Sequence, residues 1–232
     1  MNGLFVTGTD TGVGKTVVTA ALTLALRARG VDAGVVKPVQ SGALADDPEG
    51  DAALLKRWTG VPESVDEIAP YCFAAPLAPL IAAELEGCAV SLADAAAAVE
   101  AVAARHEAVL VEGAGGLLVP AGPGWTIGDL AAELGLPLLV VARAGLGTVN
   151  HTALTVLAAR QLGLRVAGVV LNGAADDSSR ENARMIEELA DVQVLGRTPA
   201  LEGELTRERL LLLAEEHLDV HAISHETEVS RA

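Results

Sequence analysis

The sequence predicts a single α/β domain in which helices cover both faces of a mostly parallel, doubly wound sheet. Three observations support this fold class. Short apolar segments alternate with longer helical ones along the 232 residues, a length that suits one large domain. Several of these apolar segments contain almost no polar residue, as strands buried on both faces do. A glycine-rich segment separates the first apolar segment from the first helical one.

The first predicted elements are a strand, a phosphate-binding loop and a helix. Leu4–Val6 is the strand, and Lys15–Arg29 is an Ala/Leu/Val/Thr helix closed by a glycine. The loop Gly8–Thr16 between them is one residue longer than the general phosphate-loop pattern, because Thr9 stands where the first glycine belongs.

The context of this loop favours binding of a nucleoside triphosphate. Backbone N–H groups at a helix N-terminus attract anions. Lys15 can then reach the outer phosphates and Thr16 can bind Mg²⁺. The alternative is a glycine-rich turn with an exposed lysine.

The remaining strands and helices alternate along the chain, which implies right-handed crossovers and a ligand at the carboxyl ends of the strands. The expected strands are Ala33–Val36, Glu107–Val111, Pro137–Ala142, Arg165–Leu171 and Val192–Leu195, and the expected helices are Ser91–Arg105, Thr126–Leu134, Thr148–Leu162 and Arg180–Ala190. Residues 38–50 are expected to form a loop. The domain is expected to span residues 1–225, with a disordered tail at residues 226–232.

Polar side chains follow three of these strands. Lys37 precedes Pro38, which ends the strand and leaves the lysine at its carboxyl edge, where it suits a catalytic cation better than a surface lysine. Glu112 stands where a Mg²⁺-binding carboxylate is expected, the alternative being a solvated glutamate in a tight turn. Asn172 suits a contact to a nucleotide base and a turn cap equally well.

The loop at residues 38–50 and the helix after it offer further carboxylates. Asp51 could bind a metal or merely cap the helix Ala52–Trp58. Composition does not separate it from Asp46 or Asp47 as a metal partner.

A histidine series near the end of the chain has a spacing of four that would suit metal ligands on a helix: His217, His221 and His225. The alternation of Leu218–Ile223 favours a strand instead, without a metal site.

Composition excludes several classes of protein. The formal net charge of −15 argues against a nucleic-acid-binding protein. No apolar run reaches the roughly 18 residues of a membrane helix. The first five residues lack a signal-peptide pattern, so a cytoplasmic protein is expected. Cys72 and Cys88 lack metal-ligand spacing and are expected to be reduced.

Four motifs in this order resemble the dethiobiotin synthetase family, over residues 5 to about 202. They are Phe5–Thr16, Lys37–Gly42, Val111–Gly116 and Leu146–His151, and the longer phosphate loop is the form that this family uses. The resemblance implies a three-layer fold with a parallel sheet of about seven strands and a homodimer. It also implies an ATP-dependent ligase that converts CO₂ (or bicarbonate) and 7,8-diaminopelargonic acid into dethiobiotin through a carbamate and a carbamic-phosphoric anhydride.

The resemblance also implies roles for individual residues. Lys15, Lys37 and Thr11 would be catalytic, and Thr16, Asp51 and Glu112 would bind Mg²⁺, which selects Asp51 over its neighbours. Thr11, Lys37 and Ser41 would bind the carbamate and diamine, while Gly147, Thr148, Val149 and Asn150 of the other subunit would bind the substrate carboxylate. The nucleotide would contact Gly12, Val13, Gly14, Lys15, Thr16, Val17, Asp51, Glu112, Gly113, Ala114, Gly115, Asn172, Gly173, Pro199, Ala200 and Leu201.

The segment Arg197–Leu201 departs from better-known members because no aromatic residue follows Pro199, so a weaker contact to the base is expected. Residues 205–232 match nothing recognisable.

Three other classes share such a phosphate loop. A cobyrinic-acid amidotransferase would need a glutaminase cysteine, and neither cysteine lies in a suitable glycine-flanked turn. A partitioning-type ATPase places a second lysine early in the loop, where this chain has Asp10. It often also has a basic amphipathic tail, which this sequence lacks. A nucleotide kinase would lack the motifs around Lys37 and Asn150.

Overall fold

The computed structural model describes residues 1–173 and 179–228. Within them, a six-stranded parallel sheet lies between two layers of helices, as the doubly wound prediction requires. Among the described residues this sheet has six strands, where the resemblance implied about seven. None of the described helices combines the length and apolar character that crossing a bilayer needs.

The elements follow one another in this order: β1 Gly3–Gly8, α1 Lys15–Ala28, β2 Ala33–Val36, β3 Val39–Ser41, α2 Asp51–Thr59, α3 Val65–Ile68, β4 Tyr71–Phe73, α4 Pro79–Leu85, α5 Leu92–Ala103, β5 Ala108–Gly116, β6 Pro120–Gly122, β7 Trp125–Thr126, α6 Ile127–Leu134, β8 Leu138–Arg143, α7 Thr148–Gln161, β9 Val166–Asn172, α8 Ser179–Ala190, β10 Val194–Thr198, α9 Arg207–His217 and α10 Val220–Glu228.

The main sheet has the order β10-β9-β8-β1-β5-β2. Strand β1 is central: Phe5 pairs with Val111 of β5 on one side and with Leu138 of β8 on the other. The strand order changes direction at β1, because β5 and β2 lie on one side and β8 to β10 on the other. Ligands bind at such a switch point, beyond the carboxyl ends of the strands.

Helices cover the sheet on both faces because its central strands β1, β5 and β8 are largely apolar and buried. One hydrophobic cluster joins α1 to α9, with Leu22, Leu26 and Leu210 fully buried. A second cluster joins α5 and α6 on the sheet, with Val99 and Leu130 fully buried. The predicted helix starts Ser91 and Thr126 act as N-caps that accept hydrogen bonds from Asp94 N and Asp129 N.

Two segments differ from the prediction. Residues 38–50 were expected to form a loop, but β3 lies among them and pairs in parallel with β4. Pairing with a strand distant in the chain leaves no local pattern that would predict β3.

The strand expected at Leu218–Ile223 is wrong, because α10 begins at Val220. Asp219 Oδ1 accepts a hydrogen bond from Ala222 N at 2.9 Å and caps the new helix. Val220 and Ile223 are buried at a helical spacing of three, which the apparent alternation concealed. Helix α10 continues into the predicted tail as far as Glu228, and residues 229–232 lie outside the described residues.

Candidate active site

The phosphate loop joins β1, the central strand, to the N-terminus of α1. Gly12 and Gly14 have φ values of +71° and +93°, a left-handed backbone that favours glycine. Gly14 is the N-cap of α1, so the loop leads directly into the positive end of the helix dipole. The first residue of that helix is Lys15, which is almost completely buried. Its Nζ donates to Asp10 O at 3.2 Å, so the ammonium group lies inside the loop.

Asn172, at the end of β9, is hydrogen-bonded to the phosphate loop. Its Nδ2 donates to Val13 O at 2.9 Å, and its Oδ1 accepts from Thr198 Oγ1 at 2.5 Å. Its amide also packs against Gly14, where an added Cβ would lie 1.9 Å from Nδ2. Asn172 therefore links the phosphate loop to β10.

Asp10 braces the opposite side of the loop. Its Oδ1 accepts from Thr11 N at 2.7 Å, and its Oδ2 accepts from Arg143 Nη2 at 2.6 Å. Arg143 ends β8, so the neighbouring strands β8 and β9 each contribute one side chain that fixes the loop. A loop fixed before the ligand arrives loses less conformational freedom when it binds.

Lys37, Asp51 and Glu112 form a compact charged cluster in front of Thr16. Lys37 Nζ lies 2.6 Å from Asp51 Oδ2 and 2.7 Å from Glu112 Oε1. Thr16 Oγ1 lies 2.9 Å from Asp51 Oδ1 and 3.0 Å from Glu112 Oε1. Strands β2 and β5 and helices α1 and α2 bring these four residues together. Asp46 and Asp47, the other acidic candidates, make no contact with this cluster among the interactions of the described residues.

The surroundings shift the pKa of both lysines, in opposite directions. Burial and the nearby charge of Lys37 lower the pKa of Lys15. Burial alone would also lower the pKa of Lys37, but Glu112 and Asp51 outweigh it and raise that pKa well above the usual value. Lys37 therefore keeps its charge throughout the neutral and alkaline range, whereas Lys15 loses its proton at a lower pH than an ordinary lysine.

Asp51 stays ionised for a related reason. Burial would raise its pKa, but Lys37 and the hydroxyl of Thr16 outweigh burial and lower it. The carboxylate is therefore a competent metal ligand at neutral pH.

The oxygen atoms of this cluster suit Mg²⁺, which prefers carboxylate, hydroxyl and phosphate oxygens. Glu112 is fully buried, and its Oε2 lacks a hydrogen-bond partner among the described residues. A buried carboxylate oxygen without a partner is costly unless a cation or donor satisfies it. Thr16, Asp51 and Glu112 therefore fit a magnesium ion, with Oε2 available to it.

Gln40 positions Asp51 through the backbone. Its Oε1 accepts from Ala52 N at 2.8 Å, at the start of α2, and its Nε2 donates to Ala43 O at 3.1 Å. Asp51 is the first residue of α2, which follows the N-cap Gly50, so the residue does not act as an N-cap. The buried Gln40 thus fixes the helix end that carries this carboxylate.

A cavity of about 330 Å³ opens over this cluster and the phosphate loop. Most of the predicted phosphate, metal and diamine contacts share its lining, which comprises Thr11, Gly12, Gly14, Lys15, Thr16, Val17, Lys37, Ser41, Asp51, Leu54, Trp58, Pro79, Glu112, Ala114, Gly115 and Val119. Val13 and Gly113 adjoin this lining in the chain. Gly113 itself packs against Ile127 and Phe5.

Other predicted residues lie outside this lining. Gly147–Asn150 form the N-terminus of α7, with Gly147 as N-cap. Asn172, Gly173 and Pro199–Leu201 lie where β9 and β10 end, beside the loop that Asn172 holds. A ligand that touches all of these groups must therefore extend beyond this cavity.

Sequence reasoning missed the residues that fix the site: Gln40 as a positioning residue, Arg143 and Thr198. Arg143 and Thr198 each end a parallel strand, and this position could have identified them, as it identified Lys37 and Glu112. Gln40 lay within a recognised motif, but its contact with α2 has no signal in the sequence.

The chain is similar in sequence to a family model and to several named proteins. A family model described as an AAA domain matches residues 2–209. The chain is 58% identical over 202 residues to the ATP-dependent dethiobiotin synthetase BioD of Anaeromyxobacter dehalogenans (strain 2CP-C), which covers 86% of this chain and 90% of that protein. It is 44% identical over 232 residues to the protein of the same name from Bacillus licheniformis, which covers 99% of this chain and 98% of that protein.

Solved structures show the same fold in more distant proteins. The MinD cell division protein of Aquifex aeolicus has a TM-score of 0.57 at 16% identity, covering 99% of this chain and 97% of that one. A ParA family ATPase from Chlorobium tepidum TLS has a TM-score of 0.55 at 15% identity, covering 97% of this chain and 96% of that one. At these identities the likeness concerns the fold alone.

Proposed function

The chain belongs to the ATP-dependent dethiobiotin synthetase family, and we propose that it catalyses the ATP-dependent ring closure of 7,8-diaminopelargonic acid with CO₂ to dethiobiotin, ADP and phosphate. The observation that carries this proposal is the cluster of Lys37, Asp51, Glu112 and Thr16 beside the phosphate loop. Together with Lys15 of that loop, the cluster gives one cavity two cations and a metal-binding set of oxygens, as transfer of a phosphoryl group between two anions requires.

The proposed reaction has three steps. One substrate amine captures CO₂ and loses a proton, which gives a carbamate. A carbamate oxygen then attacks the γ-phosphorus of ATP, and the bond from this phosphorus to the β,γ-bridging oxygen breaks. ADP departs, and the carbamate has become a carbamic-phosphoric anhydride. The neighbouring amine attacks the carbonyl carbon of this anhydride, so the ureido ring closes and phosphate and a proton leave.

The residues of the cavity suit the second step best. Two anions must approach each other there, and their repulsion falls when fixed cations lie on both sides. Lys15 approaches from the phosphate loop, and Lys37 from the end of β2. Thr11 and Ser41 line the same cavity and can donate hydrogen bonds to the carbamate and diamine.

Mg²⁺ would be held by Thr16, Asp51 and Glu112 and would neutralise part of the phosphate charge. Glu112 supports this role because its Oε2 is buried and lacks a protein partner among the described residues. Lys37 is paired with both carboxylates and would contribute its charge to the same phosphate group.

We further propose that the enzyme is a cytoplasmic homodimer in which Gly147–Asn150 of one subunit binds the substrate carboxylate at the site of the other. A helix N-terminus favours an anion, and α7 is 14 residues long. Leu146 is 92% exposed, and Leu154 and Leu157 on α7 are also exposed, so this region presents apolar surface that a second subunit could cover.

The base of the nucleotide is assigned to Asn172, Gly173 and Pro199–Leu201. Asn172 supports this assignment because Val13 O takes one of its two N–H donors and Thr198 takes one of its two lone pairs. One donor and one acceptor remain for the edge of a base.

The reaction itself is tested with purified protein, Mg²⁺, ATP, diaminopelargonate and bicarbonate. We expect release of ADP only when both other substrates are present, with dethiobiotin identified by mass spectrometry. ATP hydrolysis that needs neither substrate and gives no new product would refute the proposed function.

Mixed dimers test whether one site spans two subunits. Lys15→Ala removes the phosphate half of a site and Asn150→Ala removes the half that the other subunit supplies, so each variant alone should be inactive. Random mixing should restore about a quarter of the wild-type activity, because one in four sites then combines two intact halves. The measurement is dethiobiotin formation after mixed dimers have been verified.

A second pairing controls for non-specific rescue. Lys15→Ala and Lys37→Ala change the same half of the site, so their mixed dimers contain no intact site and should remain inactive. Failure of Lys15→Ala and Asn150→Ala to complement each other would count against a site shared between subunits.

A further inference from the structure

Trp58 places an aromatic ring at the edge of the active-site cavity. It lies on α2, two helical turns after Asp51, and Leu54 lies between them on the same face of the helix. All three residues line the cavity that contains the phosphate loop. Among the described residues of this lining, Trp58 is the single aromatic one, in a chain with 2% aromatic residues.

The lining of the cavity contains both charged and apolar side chains. Lys15, Lys37 and Glu112 are charged, and the outer phosphates are expected beside them. Val17, Leu54 and Trp58 form an apolar group, because Val17 and Leu54 pack against the hydrophobic cluster that includes Trp58. A ligand that contacts both groups carries a multiply charged part attached to an apolar one.

Two ligands of the proposed reaction have apolar parts, the nucleoside of ATP and the alkyl chain of the diamine. Thr11 and Val119 also line a second cleft of about 410 Å³, which runs between the phosphate loop and α7. The diamine is expected on that side, because Thr11, one of the residues predicted to bind it, lines both cavities. The region beside Val17, Leu54 and Trp58 is therefore left for the nucleoside.

The packing around Trp58 supports the nucleoside as occupant. Trp58 belongs to a hydrophobic cluster against which Val17 and Leu201 both pack. Val17 directly follows the metal-binding Thr16, and Leu201 belongs to the segment assigned to the base. Pro199–Leu201 contains no aromatic side chain of its own. Helix α2 and the segment after β10 thus pack against the same hydrophobic cluster.

We propose that Trp58 is a nucleotide-binding residue, whose indole ring forms an apolar wall for the nucleoside of the bound triphosphate. This inference rests on the proposed ATP site. Contact between an indole ring and a base stabilises binding through the face of the base, which all bases share. Trp58 therefore contributes affinity for nucleoside triphosphates in general, whereas Asn172 provides the contact that depends on the base.

Tryptophan fluorescence tests this inference without a change at Trp58. The chain has two tryptophans, and Trp125 is buried with its Nε1 donating to Val90 O at 2.9 Å. In a Trp125→Phe variant, emission comes from Trp58 alone. We expect ATP with Mg²⁺ to change this emission, and inorganic tripolyphosphate with Mg²⁺ or diaminopelargonate alone to leave it unchanged. If Trp125→Phe does not fold, the difference spectrum between wild type and Trp58→Phe gives the same signal.

Three results would overturn the inference. Equal changes with ATP and tripolyphosphate would indicate movement of the phosphate loop alone. A change with diaminopelargonate alone would place the alkyl chain at Trp58. If saturating ATP does not change the emission of a protein that still forms dethiobiotin, Trp58 does not contact the nucleoside. The proposed function would still stand. Conversely, the expected ATP response without dethiobiotin formation would refute the proposed function alone.

Substitutions provide a second readout. Trp58→Leu, which keeps apolar volume, should raise the Kd for ATP on the order of tenfold. Trp58→Phe, which keeps an aromatic face, should have a smaller effect. The Kd for tripolyphosphate should stay unchanged in both variants. Equal weakening of both ligands would show that Trp58 acts through the packing of α2, and would contradict a contact with the nucleoside.

Discussion

Lys37→Ala should lower kcat by about a hundredfold to a thousandfold while changing the Kd for ATP much less. Lys37 is buried between Asp51 and Glu112, and these carboxylates raise its pKa, so the ammonium group is both fixed and fully charged. Such a group stabilises charge that develops during transfer more than charge that the bound ground state already carries. The measurements are kcat for dethiobiotin formation and the Kd for ATP by calorimetry.

The pH dependence gives a second check on Lys37. Because its pKa is raised, its charge is present throughout the neutral and moderately alkaline range and is lost only above the range of an ordinary lysine. The pKa of Lys15 is lowered, so any loss of activity at alkaline pH that reflects a lysine of the free enzyme should come from Lys15.

Lys56→Ala is the matched control. Lys56 lies on α2, donates to Val61 O and Pro62 O beyond the end of the helix, and lies outside the cavity lining. Its kcat should equal that of the wild type. In Lys37→Ala, a different result would be a rise in the Kd for ATP by the same factor by which kcat/KM falls. That result would show that Lys37 acts in ground-state binding and would contradict our expectation.

Gly14→Ala should weaken ATP binding by about a hundredfold or more, because two separate costs add. The left-handed φ of +93° disfavours any side chain, and the new Cβ would lie 1.9 Å from Asn172 Nδ2. To accommodate it, Asn172 must move and give up its hydrogen bond to Val13 O. The Kd for ATP and for tripolyphosphate would both rise, because the loop itself is displaced.

Gly12→Ala separates these two costs. Gly12 also has a left-handed backbone, with φ +71°, but a Cβ there would meet no atom within 4 Å. Its effect should be on the order of tenfold, the cost of the backbone alone. In Gly14→Ala/Asn172→Ala the collision is removed, so part of the lost affinity for tripolyphosphate, which has no base to contact Asn172, should return. Equal losses in Gly12→Ala and Gly14→Ala would show that contact with Asn172 does not determine the loop.

Much of the candidate site could be predicted because parallel strands end at one edge. Lys37 directly follows β2, Glu112 follows the apolar residues that begin β5, and Thr16 follows a recognisable loop. Local sequence therefore sufficed to bring them together. Asp51 was different: nothing in its own segment separated it from Asp46 or Asp47, and only the family pattern selected it. The structure adds the physical reason, since Gln40 holds the helix that begins at Asp51.

The rest depends on contacts between distant segments. β3 forms by pairing with β4, and Asn172 meets Val13 across 159 residues. The spacing of apolar residues along the sequence does not predict contacts between segments so far apart. At Leu218–Ile223 the pattern was misleading, because apolar residues of a short helix imitated the alternation of a strand until the cap at Asp219 was visible.

The mutual contacts of Lys37, Asp51 and Glu112 also limit how this cavity can evolve. Removal of the lysine leaves a fully buried glutamate without its cation, and removal of the glutamate leaves a buried lysine with one partner fewer. Breaking a buried ion pair on one side costs about 3–5 kcal/mol, a large part of the stability of a typical domain. Single substitutions here therefore threaten folding as well as turnover, and descendants with a new chemistry must replace the charged residues together or retain them all.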